Sequence, residues 1–221
     1  MDIIHDCKKN QITMMKTRGY DIRDEAFILT MSEDDYMDYL DKKLEKKEEI
    51  SISDIYSLLN HTYIKGDDKC MVIYYIDEKQ GSFKQHDSHD FLRRVTEGNA
   101  TSAVCISNKQ FSITIEKNMR ETFSKIHFFN INEFLLKILE FSLNPRFRLL
   151  TVKESSEFLH RNNITSDKLP AILDTDPVVK YYGAEIGQIF EINNSSIVVE
   201  LYAPRYKTYR VVTANIDPRK K

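Results

Sequence analysis

Residues 174–183 read Asp-Thr-Asp-Pro-Val-Val-Lys-Tyr-Tyr-Gly, and this stretch decides the fold of the C-terminal part of the chain. Thr175 or Asp176 can cap a helix, because a side-chain oxygen at that position accepts from the first free amides. Pro177 suits the first helical position, where an N–H would have no partner. Gly183 is placed to end the helix in the left-handed conformation. The stretch therefore predicts a short helix with two sharp boundaries.

The sequence on both sides of this helix indicates a small α+β module. Upstream, residues 151–154 (Thr-Val-Lys-Glu) have the spacing of a capping box and predict a helix that ends near His160. Downstream, β-forming residues predict strands at 188–192, 197–202 and 207–213. Because the ring of Pro145 disfavours helix at the residue before it, we expect this module to span residues 145–221.

Residues 1–144 begin with helical patterns. Apolar residues at helical spacing predict a first helix that contains Ile3, Ile4, Cys7, Met14 and Met15. Gly19 is placed to end this helix. Ser32 and Ser88 are expected to cap two further helices, and residues 133–141 are expected to form another.

The same region contains three short apolar runs that are rich in β-forming residues. They predict buried strands at 70–76, 102–107 and 126–131. Strands that alternate with helices favour an α/β sheet with parallel strands. We therefore expect an α/β domain over residues 1–144, followed by the α+β module.

The bulk composition is that of a globular protein, since 41% of the 221 residues are hydrophobic. The three cysteines, Cys7, Cys70 and Cys105, are widely spaced and form no C-x-x-C pair, which argues against a zinc ribbon or a disulfide framework. We find no secretory signal pattern and no apolar run near the roughly 20 residues that a membrane span needs. A cytosolic or nuclear protein with reduced thiols is expected.

Charge is distributed unevenly along the chain. Residues 146–221 carry 12 Lys and Arg against 9 Asp and Glu, whereas residues 1–145 carry 20 against 25. Neither part is basic enough for tight, independent binding to nucleic acid. If the protein contacts DNA, a local patch makes the contact and other chains supply most of the affinity.

Two residue clusters are candidates for sites of chemistry. Asp77-Glu78-Lys79 has the acid-x-Lys spacing with which metal-dependent nucleases hold a metal and activate water. The triplet lies just past its strand and the neighbouring strand 102–107 carries no acid, so solvated turn charges are favoured and a metal-dependent nuclease using Asp77 and Lys79 is the alternative. His86, His89 and Cys105 form a weak metal pattern, because a cap at Ser88 would separate the histidines. No catalytic residue, metal site or cofactor is expected.

Four motifs in order resemble the C-terminal module of the fifth-subunit family of eukaryotic nuclear RNA polymerases, a family that also has an archaeal counterpart. They are residues 169–172 (Leu-Pro-Ala-Ile), 176–183, 187–189 (Gly-Gln-Ile) and 206–212 (Tyr-Lys-Thr-Tyr-Arg-Val-Val). The resemblance runs without a gap from about 145 to 192. In the N-terminal part only residues 16–20 (Lys-Thr-Arg-Gly-Tyr) match a family motif, and they match more weakly.

This resemblance implies a noncatalytic subunit of a multisubunit DNA-directed RNA polymerase. The N-terminal domain is expected to be an inactive, nuclease-like jaw that lines the downstream DNA channel, and the C-terminal module is expected to dock on the largest subunit. No membrane or small-molecule substrate is implied. The expected location is the nucleus for a cellular protein, or the host cytoplasm and virion for a protein of a large DNA virus.

The resemblance also implies site residues. We expect the subunit interface to contain Pro170, Asp176, Pro177, Tyr181, Tyr182, Gly183, Gly187, Tyr209 and Arg210, since Tyr and Arg are frequent binding anchors. We expect the DNA-proximal residues to be Asn108, Lys109, Lys117 and Arg120.

Three features depart from the family pattern. Phe147 stands where the family usually has a His, a turn motif near the C-terminus is absent, and residues 132–144 and 193–204 are enlarged. These departures indicate an unusual lineage, such as a large DNA virus or a fast-evolving protist.

Overall fold

The computed structural model describes residues 2–44, 51–78, 81–135, 145–193 and 206–214. The described residues divide into two compact units, the first ending at 135 and the second beginning at 145. Each unit has its own four-stranded sheet. Among the described helices, none combines the length and the apolar character that crossing a membrane requires.

The first unit is a mixed α/β fold. Its elements in chain order are α1 (Asp2–Thr17), a 3-10 turn (Ala26–Thr30), α2 (Glu33–Leu44), α3 (Ile52–Ser57), β1 (His61–Lys65), β2 (Asp68–Tyr75), α4 (Gln85–Glu97), β3 (Ser102–Ser107), α5 (Ile113–Thr122), β4 (Ile126–Asn130) and α6 (Ile131–Leu135). The sheet order is β1-β2-β3-β4, with β1 antiparallel to β2 and the other neighbours parallel. The predicted α/β sheet with a parallel component is confirmed, and the sheet is mixed because β1 is antiparallel.

The sheet of the first unit is covered on both faces. Successive residues of a strand point to opposite faces, so Ile73 of β2 packs against α4 and α5 in a cluster with Phe91 and Cys105, whereas Tyr74 donates from its hydroxyl to Gln11 of α1, 3.0 Å away. Every residue of β3 is buried. This burial explains why β3 reads as a continuous apolar run in the sequence.

The helix predictions in this unit are confirmed in part. The apolar stripe of α1 is buried, but Ile3 at its start is 49% exposed. Ser32 accepts from the Asp35 amide at 3.2 Å, as a cap of α2 should. The prediction that Ser88 caps a helix is wrong: α4 begins at Gln85, and the Asp87 carboxylate accepts from the Lys84 amide at 2.8 Å. The predicted helix at 133–141 lies mostly outside the described residues.

The second unit is a small α+β fold. Its elements are β5 (Arg146–Leu149), α7 (Val152–Asn162), a 3-10 turn (Ser166–Lys168), β6 (Ala171–Leu173), α8 (Pro177–Tyr182), β7 (Ile189–Asn193) and β8 (Lys207–Thr213). The sheet order is β5-β7-β8-β6, and only the β8–β6 pair is parallel. Phe190 and Val212 lie in the cluster that contains α8, whereas Ile189 and Val211 pack with Leu159 of α7 on the opposite face.

The quoted stretch 174–183 forms the helix that its sequence predicts. Asp176 Oδ1 accepts from the Val178 amide at 2.8 Å, and Pro177 occupies the first turn. Gly183 ends the helix at φ 63°, in the left-handed region. The capping box between Thr151 and Glu154 is likewise present. The strand predicted at 197–202 lies outside the described residues.

Burial of His5 should make the first unit less stable in acid. Its side chain is 6% exposed, and Nε2 has no hydrogen-bond partner among the described residues. Burial lowers the pKa of His5, and the positive charge of Lys9 lowers it further. As pH falls below about 6.5, the unfolded chain therefore binds a proton before the folded chain does, and stability decreases.

This prediction is checked by urea unfolding at pH 7.5 and pH 5.5. The His5→Phe variant should lose less stability over this interval than the wild type does, by up to about 1 kcal/mol. His89→Gln serves as the control, because His89 is exposed on α4. Equal acid sensitivity of His5→Phe and the wild type would contradict the prediction. Burial also lowers the pKa of His61, so this residue should contribute to the acid sensitivity that remains in the variant.

Candidate subunit interface and DNA-proximal edge

The residues expected at the subunit interface surround α8 and β6 in the second unit. Pro170, Pro177, Gly187 and Arg210 are exposed, whereas the other members of the set are partly buried. Gly187 adopts φ 91°, a left-handed conformation that favours glycine, and its amide donates to the Val212 carbonyl at 2.9 Å. The exposed members therefore form the part of the set that is able to touch another chain.

The Tyr182 side chain makes its contacts within the second unit. Its hydroxyl donates to the Phe147 carbonyl at 2.6 Å, and its ring makes an edge contact with Phe190 at 5.3 Å. Burial raises the pKa of this phenol. Phe147 packs against the same cluster. The main contacts of Tyr182 are thus within the unit, where it holds β5 against α8.

Tyr209 and Arg210 lie on opposite faces of the sheet, because they are neighbours on β8. The Tyr209 ring stacks on Phe158 of α7 with centroids 3.9 Å apart, and its hydroxyl lies 3.2 Å from Glu191. The Arg210 side chain is exposed, and its Nη1 donates to the Ala171 carbonyl at 2.9 Å. The structure therefore separates two residues that the sequence motif groups together.

Glu191 is the centre of a charged cluster on the α7 face. Burial alone would raise the pKa of Glu191, but hydrogen bonds from Arg148 and Lys207 outweigh it and lower this pKa. The Arg148 and Lys207 nitrogens lie 3.3 and 3.2 Å from the carboxylate. This cluster ties β5, β7 and β8 together.

Two exposed apolar residues beside the expected interface were missed in the sequence. Leu173 is 44% exposed and Ile186 is 63% exposed. A signal for Leu173 exists, because Ile172 is buried and the next residue of a strand must face the other way. Ile186 precedes the left-handed Gly187, so its place in a turn was also detectable.

The DNA-proximal residues of the first unit have different surroundings. Asn108 follows β3 and donates from its side-chain amide to the Asp77 carbonyl at 2.7 Å. Lys109 is only 8% exposed, and its Nζ lies 3.0 Å from Asp87 and 2.8 Å from Asp77. Because both carboxylates already bind this ammonium group, Lys109 is the member of the set least suited to a phosphate contact.

Lys117 and Arg120 are the two basic residues of α5, of which Lys117 is exposed and Arg120 is partly buried. The Lys117 side chain is 69% exposed, and its nitrogen lies 3.7 Å from Glu121. Arg120 is 3.8 Å from Glu116, and its guanidinium lies over the Phe128 ring, 5.3 Å from the centroid. Surface pairs of this kind contribute little stability, so the Lys117 ammonium remains available to a polyanion. Arg120 is less accessible, because its Nε is buried and has no hydrogen-bond partner among the described residues.

The acid-x-Lys triplet does not assemble a nuclease site among the described residues. Asp77 lies beyond the end of β2 and pairs with Lys109, while Lys79 is outside the described residues. His86 and His89 both belong to α4, yet no group of three or more potential metal ligands occurs in the part of the chain that the structure describes. The metal-dependent nuclease alternative is therefore unsupported.

Comparisons with known proteins identify relatives of this chain. A family model described as the C-terminal domain of RNA polymerase Rpb5 matches residues 136–212. The DNA-directed RNA polymerases I, II, and III subunit RPABC1 of Caenorhabditis elegans is 26% identical over 208 residues, which are 93% of each chain. The DNA-directed RNA polymerases IV and V subunit 5B of Arabidopsis thaliana is 32% identical over 94 residues, which span 41% of that relative.

Archaeal relatives are matched over most of their length. The DNA-directed RNA polymerase subunit Rpo5 of Methanosphaera stadtmanae is 36% identical over 75 residues, which are 34% of this chain and 92% of the relative. The subunit Rpo5 of Staphylothermus marinus is 40% identical over 85 residues, or 89% of its length. The chain therefore belongs to the fifth-subunit family of DNA-directed RNA polymerases, whose eukaryotic and archaeal members are subunits of that multisubunit enzyme.

Proposed function

We propose that this protein is a noncatalytic subunit that positions other parts of an RNA polymerase. The second unit, residues 145–221, would anchor the chain to the largest polymerase subunit. The first unit, within residues 1–144, would act as a jaw that lines the downstream DNA channel. Nucleotide chemistry would belong to the large subunits. A cellular member would act in the nucleus, and a viral member in the host cytoplasm and virion.

The observation that carries the anchoring role is the size of the archaeal matches. Segments of 75 to 85 residues of this chain account for 89 to 92% of archaeal relatives. The second unit is of this size and overlaps residues 136–212, which the family model matches, and this overlap supports the inference that it corresponds to nearly the whole of an archaeal relative. Its exposed Leu173, Ile186 and Arg210 offer the apolar and cationic groups that interfaces favour.

The proposed DNA contact is weak and depends on anchoring. Residues 1–145 carry 25 acidic against 20 basic residues, so the first unit as a whole does not attract DNA. Lys117 and Arg120 on α5 would supply a few phosphate contacts without sequence preference. Anchoring on the enzyme gives these residues a high effective concentration at the DNA, and weak contacts are then sufficient.

The anchoring role is tested by purifying the tagged full chain from its native source at moderate salt. Two very large polymerase subunits should copurify in equal amounts, as identified by mass spectrometry. The Leu173→Asp/Ile186→Asp variant should lose them, while the Val152→Asp control should retain them, because Val152 is 85% exposed at the start of α7. Recovery of the wild-type chain alone, under conditions that keep the polymerase intact, would refute the proposal.

Replacing Lys117 and Arg120 by Ala should weaken DNA binding by the assembled polymerase. We expect the slope of log affinity against log salt concentration to become shallower by about 1 to 2, one for each lost phosphate contact. The measurement is a salt titration of binding to a downstream duplex. Lys153→Ala is the matched control, because Lys153 forms a similar helical pair with Glu157 at 4.0 Å in the second unit. An unchanged slope would show that neither Lys117 nor Arg120 contacts a phosphate.

A further inference from the structure

Residues 151–169 of the second unit form a segment whose hydrogen bonds run almost entirely within it. The segment contains α7 and the 3-10 turn, and we call it the α7 flap. A capping box at Thr151 begins α7, and Asn163 ends it in the left-handed conformation at φ 51°. Among the described residues, the one hydrogen bond from the flap to the rest of the unit joins Glu154 to the Arg148 guanidinium. The described part of the chain therefore has no backbone hydrogen bond between the flap and the sheet.

Both ends of the flap are held by the residues that flank it. Leu150 is 5% exposed, and its amide donates to the Ile189 carbonyl at 2.9 Å. At the other end, the Pro170 carbonyl accepts from the Val211 amide at 3.0 Å. Neither bond involves a residue of the flap, so both bonds remain intact if the flap moves as one body.

Side-chain contacts attach α7 to the sheet, and these contacts are shallow. The structure describes the whole of α7, and none of its residues is buried. The Phe158 ring stacks on Tyr209 with centroids 3.9 Å apart, and Leu159 packs on the apolar cluster of this face. The Arg148 and Glu154 side chains are both partly exposed, and surface ion pairs contribute little stability. By contrast, α8 on the opposite face buries two of its six residues, so α7 is held less firmly than α8.

An apolar cluster that contains Leu150, Ile189 and Val211 lies beneath the flap. Ile189 is 1% exposed and Val211 is 7% exposed. Leu159 and Leu169 of the flap, both partly buried, pack against these residues. Movement of the flap would therefore expose this cluster, whereas the cluster under α8 would stay covered.

We propose that the α7 flap opens and closes as one body, hinged at Leu150 and Pro170, and thereby controls access to the apolar cluster beneath it. Proteins open locally in cooperative units at a lower free energy than global unfolding requires. The caps at both ends of α7 keep it helical in the open form, because they satisfy its terminal backbone groups from within the flap. The inference concerns the chain by itself, so it holds or fails independently of polymerase assembly.

Thiol modification of the full chain tests this proposal. Amide exchange would not report the opening, because α7 keeps its own hydrogen bonds. Ile189 and Ile192 lie on the same strand, β7, but Ile189 belongs to the cluster under α7 and Ile192 to the cluster under α8. The variants Ile189→Cys and Ile192→Cys are treated with iodoacetamide, and peptide mass spectrometry follows the modification of each position. The native cysteines are buried in the first unit and give separate peptides.

We expect the thiol of Ile189→Cys to be modified about tenfold or more faster than that of Ile192→Cys, since local opening is more frequent than unfolding of the unit. In the closed structure Ile189 is the more buried of the two, at 1% against 5% exposure, so static accessibility predicts the opposite order. Equal rates, or faster modification at position 192, would overturn the proposal, because exposure of position 189 would then need no movement of the flap.

Phe158→Ala supplies a second test, since it removes the ring that stacks on Tyr209. It should raise the modification rate of Ile189→Cys about fivefold or more and that of Ile192→Cys by less than about twofold. Ser156→Ala alters an exposed position of α7 and is the matched control, which should leave both rates unchanged. Equal acceleration of both thiols, or of neither, would overturn the flap as an independent unit.

Val211→Cys and Val212→Cys repeat the comparison on β8, which keeps the test valid if Ile189→Cys does not fold. These neighbouring valines belong to the clusters under α7 and α8, respectively. Phe158→Ala should accelerate modification at position 211 and not at position 212. An equal response at both positions would contradict the proposal.

Discussion

Replacement of Lys109 by Met is expected to lower the free energy of unfolding of the first unit by about 3 kcal/mol. Lys109 and Asp87 are 8% and 5% exposed, and the Nζ–Oδ1 distance is 3.0 Å. Removal of the ammonium group leaves the buried Asp87 carboxylate without its lysine counter-ion, and the exposed His86 imidazole, 3.3 Å from Oδ1, is then the basic side chain beside it among the described residues. Asp87 also accepts from the Lys84 amide at the start of α4, so the substitution should destabilise the first turn of that helix as well.

Urea unfolding of the full chain measures this effect, and a double variant identifies its cause. Lys109→Met/Asp87→Asn should recover a large part of the lost stability, because it removes the uncompensated charge. The side-chain oxygen of the introduced asparagine would still accept from the Lys84 amide at the start of α4. Lys117→Met, on the exposed side of α5, should change stability by less than about 0.5 kcal/mol. A Lys109→Met variant as stable as the wild type would show that the Lys109–Asp87 ion pair is not needed for stability. The Lys109 ammonium group would then be available for a phosphate contact.

Replacement of Glu25 by Ala is expected to destabilise the first unit by about 3 kcal/mol or more. Lys8 of α1 is 2% exposed, and its Nζ lies 2.5 Å from Glu25. The Tyr63 hydroxyl donates to the same carboxylate at 2.5 Å. Burial lowers the pKa of Lys8 even though Glu25 favours its charged form. Without Glu25, the buried Tyr63 phenol loses its acceptor, and the buried Lys8 ammonium loses its counter-ion and keeps the neutral Leu59 carbonyl at 3.2 Å.

The matched control is Asp24→Ala, which removes an exposed carboxylate from the adjacent position and should have little effect. Lys8→Met/Glu25→Gln should be more stable than Glu25→Ala, because the amide still accepts from Tyr63 and no charge remains buried. Chemical denaturation compares the four chains. If Glu25→Ala matched Asp24→Ala, the pair would contribute no net stability, and α1 would be held to β1 by other contacts, such as the hydrogen bond that Gln11 donates to the Tyr63 hydroxyl at 2.9 Å.

Local signals predicted the elements whose boundaries depend on a few neighbouring residues. Asp176, Pro177 and Gly183 form one helix between them, and Thr151 with Glu154 starts another. The buried strands β2 and β3 were visible because they are covered on both faces and must be apolar throughout.

Elements that depend on distant partners were not predicted. β1, β5 and β6 are edge strands of three to five residues, and polar or small residues interrupt their apolar pattern. Each becomes a strand because a longer strand elsewhere in the chain pairs with it. The helix start misplaced at Ser88 has a similar cause, since Asp87 both caps α4 and binds Lys109, 22 residues away.

Residue order alone was sufficient to predict the family, the short helix at 177–182 and the alternation of strands and helices, because these depend on residue type at fixed short spacing. The roles of the side chains emerged only from long-range packing. That packing placed Tyr209 and Arg210 on opposite faces of one sheet, enclosed Lys109 between two carboxylates, and brought the Arg210 guanidinium to the Ala171 carbonyl of β6. These outcomes follow from strand pairing and from charge compensation between distant residues, which no local pattern encodes.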